Sequence, residues 1–321
     1  SRGLGDVYKR QHYTDYAEWQ QDFILSDDIN EHRAYWLEQF SGELPLLSLP
    51  TDFQRPLVQT FNGKRISSML NAELTNKLKS VCQENGASLF MGLLSGLYSL
   101  LHRYSGQSDL IVGTPVAGRE YADLSDQIGF YINTLPIRMD IDGQDNFVSV
   151  LSKVKETTLS AFEHQAYPFD DLVDSLDIKR DSGRSPLFDV LLVLQNTDMD
   201  DQSAEDAAEQ GIPDLERYLK VQDVSSKYEL VINVAEWGDQ LMVSLDYNAD
   251  IYGLSTATGL LNHFELLIAS LIERPEQNIG SLQMLSDEER TLQLETFNST
   301  AVSIDENQTF VSQFEEQVVK T

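Results

Sequence analysis

The side chains that most readily do acid–base or thiol chemistry near neutral pH are, in this chain, five histidines, at positions 12, 32, 102, 164 and 263, and one cysteine, Cys82. No two histidines stand four apart, the spacing that sets two imidazoles on one helical face, so a zinc site has little support. Cys82 falls on the apolar side of a predicted helix, where burial keeps a thiol protonated, and it reads as a small core residue. The nucleophile elbow G-x-S-x-G, the phosphate loop G-x-x-x-x-G-K-[ST] and the dinucleotide fingerprint G-x-G-x-x-G are all absent. Generic catalytic patterns therefore point nowhere.

The elements that would position any site are more legible. Thr14 to Phe40 reads as one acidic helix with an intermittent aromatic stripe, and Pro45, Pro50 and Pro56 mark an extended connection. Ala72 to Asn85 is a helix ended by Gly86, and Ser88 can cap a second, nearly all apolar helix running to Tyr104. Gly92 and Gly96 in that helix suit close packing against a sheet. Strands are expected at Leu110–Gly113, Phe130–Met139, Leu187–Gln195, Glu229–Ala235 and Leu241–Tyr247, the last two joined by a Gly238-Asp239 turn. Helices are expected over Phe147–Phe162, after Pro168, and through Leu260–Leu271. This alternation suggests an α/β layer fold with a mixed sheet.

Composition narrows the partners. The chain has 321 residues and a formal net charge of −29, so phosphate backbones and anionic lipid would repel it, and neither nucleic acid nor a membrane is expected as a partner. The longest apolar run, Leu89 to Leu101, is shorter than the roughly 20 residues a bilayer requires. A lone cysteine cannot close an internal disulfide, and with no secretory signal the expected location is cytoplasmic. Ser1–Gln11 shares no pattern with the rest of the chain and is expected to be a non-native leader on a piece of a longer protein. Thr197–Arg217 carries eight acidic residues and one basic one, and reads as a solvated loop.

Four stretches become specific when taken together. Tyr13-Thr14-Asp15-Tyr16-Ala17-Glu18-Trp19 resembles the Y-x-D-[FY]-A-x-W motif of condensation domains from nonribosomal peptide synthetases. Ile128 to Arg138, with Gly129, Asn133 and Thr134, resembles that family's I-G-x-F-V-N-T-x-x-x-R. His164-Gln165-Ala166-Tyr167-Pro168-Phe169-Asp170 is similar to H-Q-D-x-P-F-E. Arg180 to Leu187, with Asp181 and Arg184, is similar to R-D-x-S-R-x-P-L and runs into an apolar strand ending at Gln195-Asn196. Ala166 and Gly183 depart mildly from the family pattern. The larger departure is the catalytic signature H-H-x-x-x-D-G, since no two histidines are adjacent in this chain.

The resemblance implies the C-terminal half of a two-lobe domain, one chloramphenicol-acetyltransferase-like lobe with a mixed sheet flanked by helices. It implies residues 12–285 as a partial condensation domain, 286–308 as a linker and 309–321 as the start of an adenylation domain. That family joins an acyl or peptidyl thioester to an amino acid, each held on a carrier domain by phosphopantetheine. The implied partners are peptidyl carrier domains, the missing N-terminal lobe and the downstream adenylation domain; no cofactor or metal is expected on the chain itself. No catalytic residue is assigned, and the chain alone is expected to be inactive. A non-catalytic docking half-domain, and epimerising or heterocyclising relatives, remain open as alternatives.

Each motif residue has a structural reading beside the functional one. Asn133 and Thr134, polar in an apolar strand, either make structural hydrogen bonds or line a substrate tunnel. Arg184 and Asp181 are expected to pair and hold a turn, and His164 with Gln165 to cap and pack. Gly129 reads as a close backbone approach, Arg138 as part of the motif strand, and Asn196 as facing the cleft beside Asn133. Asp174-Ser175-Leu176 matches the core of a phosphopantetheine attachment site, but lacks the preceding glycine and falls near a helix end.

Overall fold

The computed structural model of the chain describes residues 12–119, 124, 127–176, 178, 181–195, 220–301 and 309–320. Residues 1–11, Asn196 and the acidic stretch 197–217 lie outside the described residues. The chain divides into two units, one ending at Met284 and one beginning at Leu285.

In the first unit the strands are β1 (Asn62–Leu70), β2 (Asp109–Val116), β3 (Asn133–Asp140), β4 (Val190–Gln195), β5 (Gln222–Ser225), β6 (Leu230–Trp237) and β7 (Gln240–Asn248). Among the described residues they form one seven-stranded mixed sheet in the order β3-β2-β4-β6-β7-β1-β5. β4 runs parallel to both its neighbours, and every other pair is antiparallel. β2 and β4 meet at one register pair only, Gly113 with Leu191. A side chain at 113 would strike the ring of Phe188, so glycine is what lets that ring lie on the strand.

The helices are α1 (Tyr13–Leu25), α2 (Ile29–Gln39), α3 (Ala72–Glu84), α4 (Leu89–Ser105), α5 (Phe147–Glu163), α6 (Phe169–Ser175) and α7 (Leu254–Glu273). Asn71, Ser88 and Asn146 cap α3, α4 and α5 by accepting from backbone N–H groups in the first turn. α4 is the axis of the helical layer. Every residue from Met91 to Leu101 is buried, because α3, α5 and α7 surround it and β2 lies beneath. Tyr98 of α4 reaches the sheet and donates to the Ile137 carbonyl at 2.6 Å. The opposite sheet face is polar: Arg65 pairs with Asp246 at 2.5 Å, Asn233 donates to the same carboxylate, and Ser67 meets Ser244.

Several sequence expectations need correction. Gly92 and Gly96 face helices rather than a sheet: Gly92 sits on Cys82 and Leu78 of α3, Gly96 on Ile268 and Phe264 of α7. The single helix over 14–40 is two, broken where the Ser26 hydroxyl donates back to the Phe23 carbonyl and closes α1. β4 starts at Val190 rather than 187, because Leu187 has φ of +68° and the Phe188 N–H donates to the Pro186 carbonyl across it, a tight three-residue turn. β1 and β5 were not expected at all.

In the second unit, Ser286 and Glu289 exchange hydrogen bonds that cap a short helix over Asp287–Thr291, and a wide turn over Leu292–Thr296 follows. A separate helix, Phe310–Lys320, has no buried residue.

Candidate functional site

Three of the four motif stretches converge on one cleft of about 350 Å³. α1 contributes Tyr13, Tyr16 and Trp19, the approach to β3 contributes Phe130 to Thr134, and the α5–α6 connection contributes Gln165 to Asp170. α1 buries none of its residues and is held by rings. Tyr13 and Tyr16 both meet Tyr131 edge-on, with centroids 5.3 and 4.6 Å away. Gly129 makes this possible, since a Cβ there would run into the rings of Tyr13 and Tyr131. Arg119 stacks its guanidinium over the Tyr131 ring, 4.3 Å from its centroid.

Asn133 forms the floor of the cleft, and its amide is fully committed. Its Nδ2 donates to the carbonyls of Gln165 and Tyr167, each at 2.8 Å, while its Oδ1 accepts from Thr134 N–H and Phe169 N–H. The side chain thus stitches the α5–α6 connection to the first residue of β3. It sits on the cleft wall but offers no free polar atom to a substrate. Thr134 lines the same wall beside it.

His164 closes α5 and faces away into an aromatic cluster. Its ring stacks on Tyr35 at 4.2 Å, its Nδ1 lies 3.1 Å from His32 Nδ1, and its carbonyl accepts from the Trp36 indole. Partial burial and the His32 ring hold its pKa below the usual histidine value. From Trp19 through Phe23 and His32 to His164, neighbouring rings stand 5.1–6.0 Å apart, an unbroken series linking α1 and α2 to the motif loop.

The other motif residues lie elsewhere. Arg138 makes a bidentate pair with Asp109 and donates to the carbonyls of Gln39, Ser41 and Glu43, tying the end of α2 to the sheet edge. Arg184 pairs with Asp189 at 2.6 Å, not with Asp181. The reason is local: Asp181 Oδ1 turns back to accept from Gly183 N–H, and Asp189 is the buried carboxylate within reach. Asp181 and Arg184 border a different, larger cavity.

Chemically, the cleft offers an aromatic wall rather than a reacting pair. Tyrosines and Asp170 are its only ionisable lining groups among the described residues, with no nucleophile–base pair. Cys82 is buried and its thiol is pushed up to about 11, which leaves it inert. Among the described residues no cluster of three potential ligands could hold a metal ion, and no helix is long and apolar enough to cross a membrane. Phe23 and Tyr131 belong to the cleft although sequence reasoning did not single them out. The aromatic spacing Tyr16, Trp19, Phe23 on α1 was the signal available.

The sequence comparisons converge. A family model described as Condensation domain matches residues 6–294. The chain is 39% identical over 329 residues to surfactin synthase subunit 1 of Bacillus subtilis (strain 168), covering 99% of this chain and 9% of that protein. It is 37% identical over 325 residues to gramicidin S synthase 2 of Brevibacillus brevis, covering 99% of this chain and 7% of that one. The chain thus spans less than a tenth of these relatives. Among solved structures, a four-domain nonribosomal peptide synthetase bound to AMP and glycine matches with a TM-score of 0.79 at 24% identity, over 92% of this chain and 23% of that one. The X-domain from teicoplanin biosynthesis matches with 0.73 at 24%, over 86% and 62%. These two likenesses show the fold.

Proposed function

This chain belongs to the condensation-domain family, and on that premise we propose that it is the C-terminal lobe of a peptide-bond-forming condensation domain. The observation that carries the reading is the convergence of three motif stretches on one aromatic cleft without an acid–base pair of its own. In the proposed reaction the amine of a carrier-bound amino acid attacks the carbonyl of a carrier-bound acyl or peptidyl thioester. A C–N bond forms, the C–S bond breaks, and the donor arm leaves as its thiol while the amine gives up a proton.

The part of this lobe is positioning. Tethering both reactants on phosphopantetheine arms turns a bimolecular encounter into an oriented one, worth roughly 7–11 kcal/mol of barrier in well-aligned cases. A wall of Tyr13, Tyr16, Trp19 and Phe130 suits a long, mostly uncharged arm, and it keeps bulk water from a hydrolysable thioester. Asn133 holds the floor in place from beneath. The proton-handling histidines would come from an H-H-x-x-x-D-G motif on the other lobe, so the chain alone is inactive in this reading. Residues 286–308 act as a linker and 309–321 begin an adenylation domain, a reading supported by the division at Leu285.

The test mixes the chain with two loaded carrier domains, with and without the upstream lobe supplied in trans. Amide product only with the upstream lobe is expected. Product from the chain alone would overturn the positioning role. No product in either mixture would favour the second reading, a docking half-domain, which the lack of adjacent histidines also suits.

A further inference from the structure

β2 runs from Asp109 to Val116, and Val116 pairs with Asn133 at the cleft end. At its other end, Asp109–Ile111 border a second cavity of about 740 Å³. The remaining walls are the Leu44–Leu47 segment, α6 and the loop that ends at Asp189. Small-molecule pockets span roughly 300–1,000 Å³, and this one has their composition: mostly apolar, with a few polar groups.

The charged groups described in the lining are mostly acidic. Among the described residues, five aspartates line the cavity against one arginine, Arg184. Asp109 is taken up by Arg138, and Arg184 by Asp189. The Asp189 side chain is only 5% exposed; its Oδ2 accepts from Arg184, and its Oδ1 has no hydrogen-bond partner. Asp189 is one of the residues lining the cavity, and a buried carboxylate oxygen left unmatched is costly unless something supplies a donor.

We propose that this cavity binds a small amphipathic primary amine, its ammonium donating to Asp189 Oδ1 and its hydrocarbon chain lying against Leu46, Leu110 and Val173. The proposal stands apart from the reading of the cleft above.

The electrostatics of the surroundings agree. Among the described residues, the charged groups acting on Asp189 are Arg184 on its own loop, Arg55 from the segment before β1, and Glu229 at the foot of β6, which pairs with Arg55 and accepts from Tyr252. Burial and Glu229 outweigh the two arginines and push the Asp189 carboxyl up to about 7. Near neutral pH that carboxyl therefore holds a proton much of the time. An ammonium arriving at Oδ1 takes the place of that proton, so the local charge is unchanged and no extra charge is buried.

Calorimetric titration of the full chain with n-hexylamine and with n-hexanol, at pH 5.5, 6.5 and 7.5, tests this. Hexylamine should bind more tightly as pH rises, by roughly tenfold or more across the series, with release of a proton. Hexanol should bind more weakly and without pH dependence. Asp189→Asn should reduce hexylamine to the level of hexanol. Leu46 is 62% exposed at the rim, so Leu46→Arg keeps the fold and should weaken hexylamine at least about tenfold by placing a like charge at the mouth. This second variant and the wild-type pH series serve even if Asp189→Asn fails to fold. Equal affinity for amine and alcohol, pH-independent amine binding, or an unaffected Leu46→Arg would each overturn the proposal.

Discussion

The Nδ1 atoms of His32 and His164 lie 3.1 Å apart, although the two residues are separated by 132 positions. Across that distance one ring donates and the other accepts. His164 is held below its ordinary pKa of 6.5, chiefly by burial and then by His32. The unfolded chain therefore takes up its proton first, and stability falls as pH drops below 6.5 and on through the folded-state value. Thermal melts from pH 8 to pH 5, read as the difference from a His164→Gln variant, should show this loss, since Asp189 contributes in the other direction over the same range. His32→Gln should shrink it, and an NMR titration placing His164 at or above 6.5 in the unmodified chain would contradict it.

Asp189 predicts the opposite slope. Its carboxyl is raised from 3.8 to about 7, so its contribution is fully present below the unfolded value and is lost as pH rises through about 7. Arg184→Met removes the partner and leaves a buried charge unpaired, which typically costs about 3–5 kcal/mol. The cost should be larger at pH 8 than at pH 5, where the carboxyl is protonated. Urea unfolding at the two pH values measures it, and an equal cost at both would count against the assignment.

Asn133→Ala should destabilise the first unit by about 2–4 kcal/mol, because four backbone partners lose their hydrogen bonds at once. A change below about 0.5 kcal/mol in chemical denaturation would show that water satisfies these groups as well as the amide does.

Cys82 should resist modification while the chain is folded. Raising its pKa from 9.0 to about 11 cuts the thiolate at pH 8 about a hundredfold, before burial is considered. Labelling by a water-soluble disulfide reagent should appear only with urea, in step with unfolding. A folded-state rate equal to that of a free thiol would be the contrary result.

How much could be read from the sequence depended on whether burial and periodicity agreed. α4 and the hairpin of β6 and β7 announce themselves because their apolar faces are simple. β1 does not: its sequence mixes Lys64, Arg65, Ser67 and Ser68 among few apolar residues, since one face carries the polar ladder with Asp246 and Ser244, and Ser68 bonds to Glu265. Only its neighbours make it a strand. Site residues follow the same rule. The cleft stretches were recognisable as motifs, but the partner of Arg184 was not, because Asp181 and Asp189 are equivalent carboxylates until a turn claims one of them. His32 and His164 likewise become a pair only through the fold.

The meeting of β2 and β4 at Gly113 and Leu191 alone has a mechanical consequence. The β2–β3 ribbon is fastened to the rest of the sheet at one point, as a seesaw is to its fulcrum. On one side of that point lie Val116 and Asn133 at the cleft; on the other, Asp109–Ile111 at the aspartate-lined cavity. Any rocking of the ribbon about Gly113 must draw one end towards β4 as it swings the other away. Movement at the two ends of the ribbon is then coupled through that pivot, on which the ring of Phe188 rests.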